Sequence, residues 1–349
     1  MEAKSKTPES SSNSRPFIAS IDPPFALPGG EVRIIGRHLI GREFTRPDVR
    51  IGNAEASITL ASNDLIVARM PIRPESSELT VSTDASSNAV KVGVAVEIAD
   101  DLHPVANPAV DAEGNIYVSF SGSRGQAVPV SVYKIRPGQS VQPLVSELMN
   151  ATGLALDAGG FLYVSSRYDG AVYRIAPNGT MATYAQGMGV ATGIAFDPEE
   201  NLYVGDRSGT IFKIARDRQI YVFATLEPSV SAYHLAFAPS GNLFVTGPTI
   251  SSFDAVYEID PHGTVREFYR GLGRPQGIAF DADGNLYVAA SLKGRRGIVR
   301  LTPSAEPSLI LSGSNLVGLA FAPGDAVVLA TTNAVHHLAW GITGQQLWG

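Results

Sequence analysis

One stretch of this chain recurs six times, and that recurrence limits what the chain can fold into. Gly193-Ile-Ala-Phe-Asp-Pro-Glu-Glu-Asn-Leu-Tyr-Val204 and Gly277-Ile-Ala-Phe-Asp-Ala-Asp-Gly-Asn-Leu-Tyr-Val288 show it most plainly. Pro108-Ala-Val-Asp-Ala-Glu-Gly-Asn-Ile-Tyr-Val118, Gly153-Leu-Ala-Leu-Asp-Ala-Gly-Gly-Phe-Leu-Tyr-Val164 and His234-Leu-Ala-Phe-Ala-Pro-Ser-Gly-Asn-Leu-Phe-Val245 are close variants. Gly318-Leu-Ala-Phe-Ala-Pro-Gly-Asp-Ala-Val-Val-Leu329 is a degenerate last copy. With Asp111 as anchor, the equivalent positions are Asp157, Asp197, Ala238, Asp281 and Ala322, spaced by 46, 40, 41, 43 and 41 residues. A period of this length signals a repeat architecture, because a single unit cannot bury its apolar face alone.

Each copy continues into a third apolar run, such as Val172-Tyr-Arg-Ile175 or Val256-Tyr-Glu-Ile259. Most add a fourth, such as Gln219-Ile-Tyr-Val-Phe-Ala224. Four short strands with tight turns make one propeller blade, so residues 96–349 are expected to form a six-bladed β-propeller. The Gly of the Asp-x-x-Gly-Asn turn (Gly114, Gly160, Gly241, Gly284) supplies a positive φ. Glu200 and Asp325 stand in its place in copies three and six and should carry strain there. The repeated Tyr residues read as core aromatics between blades.

Composition agrees with an all-β chain: 17% charged residues, and 35 Gly with 23 Pro. Residues 1–95 hold 11 basic and 11 acidic side chains, so the repeats carry the whole net charge of −6. No basic footprint for nucleic acid is present. Zero cysteines exclude disulfides and thiolate sites. No run of 18 apolar residues exists, so no membrane span is expected. Residues 1–15 are polar, lack a signal-peptide core and read as a disordered tail. A cytoplasmic location is the default expectation, or export if a signal was trimmed.

Closing a propeller ring usually takes a strand from each terminus. Val94-Ala-Val-Glu-Ile-Ala-Asp-Asp-Leu102 resembles the fourth strands and is expected to pair near Val335-His-His-Leu338. Gln345-Gln-Leu-Trp348 competes for that place. Residues 16–95 show a different pattern of about seven short strands with Pro/Gly punctuation, which suggests a β-sandwich. The expected fold is therefore an N-terminal immunoglobulin-like β-sandwich followed by a six-bladed β-propeller. No Pro- or Ser-rich linker separates the two, so they should dock.

The repeat consensus resembles NHL repeats and the senescence-marker-protein/gluconolactonase-like propellers. The opening Ser20-Ile21-Asp22-Pro23 and the Gly29-Gly-Glu-Val-Arg-Ile-Ile-Gly36 run resemble IPT/TIG immunoglobulin-like domains. The gluconolactonase resemblance implies Ca²⁺ or Zn²⁺ held by Glu, Asn and Asp just before the innermost strands. The equivalent positions here are Ala106, Thr152, Thr192, Tyr233, Gln276 and Val317, none of them a carboxylate, with Asn107 one place out of register. No catalytic residue and no cofactor are therefore assigned, Ca²⁺ or Zn²⁺ belonging only to a lactonase alternative. The leading expectation is a non-enzymatic scaffold whose mouth binds a protein or a small molecule. Candidate ligand contacts are Thr152, Arg167, Thr192, Asp206, Arg207, Tyr233, His234 and Gln276. His234 replaces a repeat Gly, and a hydrogen-bonded rim histidine is the expected role, with a catalytic base as alternative. Arg167 and Arg207 read as surface charges or as partners of Asp169 and Asp206. His336 and His337 alternate across one strand and cannot ligate one metal together.

Overall fold

The computed structural model describes residues 15–41, 45–123 and 125–345. The repeated Asp carboxylate clasps its own hairpin. Asp111 accepts hydrogen bonds from the Asn115 backbone N–H (2.8 Å), the Asn115 amide (2.8 Å) and the Tyr117 hydroxyl (3.0 Å). Asp281 repeats the arrangement with Asn285 and Tyr287. Where Ala238 removes the carboxylate, Glu258 of the third strand receives the Asn242 amide instead. The turn survives without its glycine: Glu200 and Asp325 adopt φ of 61° and 55°.

Six blades surround one axis. Blade two is typical, with strands Ala151–Leu156, Leu162–Ser166, Ala171–Ile175 and Met181–Ala185 in antiparallel order. The first strand of each blade lies innermost, and that of blade one packs beside that of blade six. Blade six has three consecutive strands, Leu316–Ala322, Ala326–Thr331 and Val335–Ala339. Its fourth is Val96–Ala99, with Val96 opposite His337 and Ala99 opposite Val335. The competing C-terminal segment goes elsewhere: Gly344 bridges Asp281 in blade five, and residues 346–348 lie outside the described residues. Blades four and five are not separate sheets, because the outer strand Val265–Gly273 runs on to pair with Leu292 and Ser291.

Aromatic rings join successive blades. Tyr163 meets Phe196 at 4.8 Å, Tyr203 meets Phe237 at 5.0 Å, and Phe244 meets Phe280 at 5.0 Å, each edge to face. The second-strand Tyr117, Tyr163, Tyr203 and Tyr287 are buried as core residues, whereas Tyr133, Tyr173 and Tyr257 of the third strands are half-buried.

The N-terminal sandwich packs two four-stranded sheets over Ile18, Val32, Ile34, Val49, Ile66 and Leu79. Its edge strand Ser57–Ala61 is exposed and without alternating burial, so it carries no apolar alternation that the sequence could show. The sandwich docks on blade five. Phe25–Ala26 adds in parallel beside Leu311 and Ser312, and Gly93–Val94 adds beside Phe25–Ala26. Arg295 donates to the Asp22 carboxylate (2.5 Å) and carbonyl (2.8 Å). Among the described residues no helix is long and apolar enough to cross a membrane.

Candidate functional site

Six residues, each four places before its anchor, meet at the narrow end of the central channel: Asn107, Gly153, Gly193, His234, Gly277 and Gly318. Strands converging on an axis come backbone to backbone there. A Cβ on Gly153 would stand 2.4 Å from the Thr192 carbonyl oxygen, and one on Gly193 would stand 2.3 Å from that of Tyr233. On Gly318 it would stand 2.6 Å from the Asn107 Cα. These glycines are needed for close approach rather than for a turn.

The two exceptions sit half a turn apart, in blades one and four. Asn107 reaches over blade six: its amide donates to the Ile278 carbonyl (2.8 Å), and its Oδ1 accepts from the Leu319 N–H (3.1 Å). The ring therefore closes through this side chain. His234 is only 3% exposed and lines the channel interior. Among the described residues no hydrogen bond or ion pair reaches its imidazole, so the expected hydrogen-bonded rim role is corrected. Burial alone pulls its pKa from 6.5 down to about 4, which keeps it neutral at physiological pH.

The other candidates serve the scaffold. The Thr152 carbonyl accepts the Ser119 hydroxyl (2.9 Å), the Thr192 carbonyl accepts that of Ser165, and the Gln276 carbonyl accepts that of Thr246 (2.6 Å). Each is a latch from the second strand of one blade to the start of the next. The Thr192 hydroxyl itself donates to the Gly205 carbonyl (2.8 Å). Tyr233 is fully buried, with its hydroxyl on the Glu227 carbonyl. Asp206 caps its own loop by accepting from Val190 N–H (2.8 Å) and from Ser208. Arg207 is exposed and donates to the Ser229 carbonyl (3.2 Å), while Arg167 donates to that of Gly122 (3.2 Å). Asp169 receives the Tyr173 hydroxyl.

Inside the ring lies a cavity of about 170 Å³. Ala155, Ala195, Ala236, Ala279 and Ala320, with Phe196, Phe237, Phe280 and Phe321, supply much of its wall. Gln345 lies at the opposite end, its N–H donating to the Phe280 carbonyl (3.1 Å). Among the described residues His234 is the one titratable side chain in the lining. The small residue two places before every anchor was a visible signal for this wall, although strand alternation alone assigns it to the core. A hard divalent metal does not fit. The positions leading into the first strands carry no carboxylate, and among the described residues no three His, Asp or Glu converge.

Residues 16–95 match the IPT/TIG domain family. No curated protein sequence matches the chain. Solved structures do. A candidate gluconolactonase is 19% identical with a TM-score of 0.60, over 73% of this chain and 94% of its own. An auxiliary nutrient binding protein from Bacteroides ovatus is 12% identical with a TM-score of 0.55, over 94% of this chain and 98% of its own. A catalytically inactive virginiamycin B lyase from Staphylococcus aureus with quinupristin is 15% identical with a TM-score of 0.52, over 84% and 100%. At these identities the likeness establishes the fold alone, an immunoglobulin-like sandwich over the residues that match the IPT/TIG model followed by a six-bladed β-propeller.

Proposed function

We propose that the protein is a non-enzymatic recognition scaffold, an NHL- or gluconolactonase-like propeller that binds its ligand at the axis. One observation carries the reading. Among the described residues the Thr152, Thr192 and Gln276 carbonyls leading into the axis are committed to blade-to-blade latches, and the mainly apolar lining presents two unengaged polar side chains, His234 at one end and Gln345, whose buried Oε1 has no partner, at the other. Catalysis of lactone opening needs a polarising centre and a base close together, and among the described residues the lining offers one neutral imidazole. The auxiliary nutrient binding proteins among the similar structures support binding as a use of this fold.

The test combines two measurements on the full chain. Calcium or zinc at millimolar concentration should leave the melting temperature unchanged, since a metal bound to the native state would raise it. Sugar lactones should not be turned over. Hydrolysis that is stimulated by either ion and lost in His234→Ala would replace the scaffold with a metal-assisted hydrolase.

A further inference from the structure

The axial cavity carries an inference about what is bound. His234 is 3% exposed, has no hydrogen-bond partner among the described residues, and lines the cavity. An imidazole that faces a cavity with no hydrogen bond from the chain is placed to meet a partner that arrives from outside it. Water is a poor candidate. It requires two to four polar contacts, whereas the described walls around His234 are built mainly from Ala, Leu, Ile and Phe, and the unpartnered Gln345 Oε1 lies at the opposite end. Charge is disfavoured too, because among the described residues no counter-ion lines the space and an unpaired ion pays heavily for burial. Size sets the remaining limit: the volume is about 170 Å³, and a dry cavity of about 150 Å³ holds a benzene-sized molecule.

We propose that this cavity binds an uncharged, mainly apolar molecule of about one ring, whose single hydrogen-bonding group engages His234. The assignment rests on the scaffold reading and makes it specific. Neutral imidazole both donates and accepts, so a hydroxyl or an N–H on the ligand suffices. His234 is buried neutral, which agrees with a preference for uncharged ligands.

Four probes test it on the full chain by titration calorimetry and thermal shift: phenol, benzene, benzoate and glucose. Phenol should bind and raise the melting temperature, about tenfold more tightly than benzene for one added hydrogen bond. Benzoate and glucose should not bind. His234→Phe should erase the preference of phenol over benzene, and Ala236→Leu should abolish both by filling the space. If either variant fails to fold, the wild-type imidazole resonance of His234 decides, since phenol should displace it and benzene should not. Benzoate binding as tightly as phenol, or phenol leaving that resonance unmoved, overturns the proposal. Lactone hydrolysis would remove the scaffold reading instead, and phenol that fails to bind without any hydrolysis would remove the cavity assignment alone.

Discussion

Asn107 binds blades one, five and six with one side-chain amide, at the seam where the ring could open. Asn107→Ala leaves the Ile278 carbonyl and the Leu319 N–H without it, and should cost about 1–2 kcal/mol in urea denaturation. An unchanged midpoint would mean that the seam is held elsewhere. Conformation alone sets a second effect. Gly160 has φ of +75° and nothing within 4 Å of a built Cβ. Gly160→Ala should therefore cost about 1–2 kcal/mol through backbone strain only. Glu200 and Asp325 already occupy the same turn position at positive φ. His234 gives the acid side of stability. The native state holds it neutral down to about pH 4, while the unfolded chain takes up the proton near pH 6.5. Its contribution is thus complete above pH 6.5 and is lost as pH falls toward 4, by roughly 3 kcal/mol in all. Burial acts in the same direction on His336, opposed by Glu97. His234→Gln should flatten the loss between pH 7 and pH 4.5, read from denaturation midpoints, and a variant that loses as much as wild type would exonerate His234.

Among elements, the strand Val96–Ala99 has the largest leverage, because it comes from one end of the repeats and completes a blade begun at the other. Without it, Val335–Ala339 becomes a free edge and blade six loses the cover over Val328 and Val335. Deleting residues 94–102 should abolish cooperative folding by circular dichroism; a stable truncated ring would disprove that role. Its place was legible because Val94–Leu102 carries the pattern of a fourth strand in front of the first copy. The aromatic steps between blades are the other element-level tie. Phe237 stands 5.0 Å from Tyr203 in a buried cluster, so Phe237→Ala should cost about 3–5 kcal/mol by leaving a cavity.

At the scale of the molecule, the IPT/TIG domain is part of the propeller's sheet system. Leu27 and Ala95 share a buried cluster with Leu311, Leu329 and Trp340, and Phe25 lies edge-on to Trp340 at 6.4 Å. Leu27 N–H donates to the Ser312 carbonyl at 2.8 Å. Contact this continuous predicts one calorimetric transition for the whole chain. A Cβ on Gly30 would stand 2.4 Å from the Ser312 carbonyl oxygen, so Gly30→Val should wedge the sandwich off blade five. The variant should show two transitions, and a single one at the wild-type temperature would dismiss the docking as energetically minor. The missing linker made docking legible, but which blade received the sandwich was not.

By itself, the sequence determined the period, the blade count and the closing strand. These rest on local alternation and turn chemistry, which any strand of a given pattern expresses wherever it lies. It also flagged His234, as a departure from glycine. Only the tertiary structure decided what the departure does, because the cavity exists where six first strands from distant parts of the chain converge. The same convergence makes latches of the Thr152, Thr192 and Gln276 carbonyls and of the Tyr233 N–H. Their partners lie between 27 and 41 residues away along the chain, at distances that no local pattern encodes.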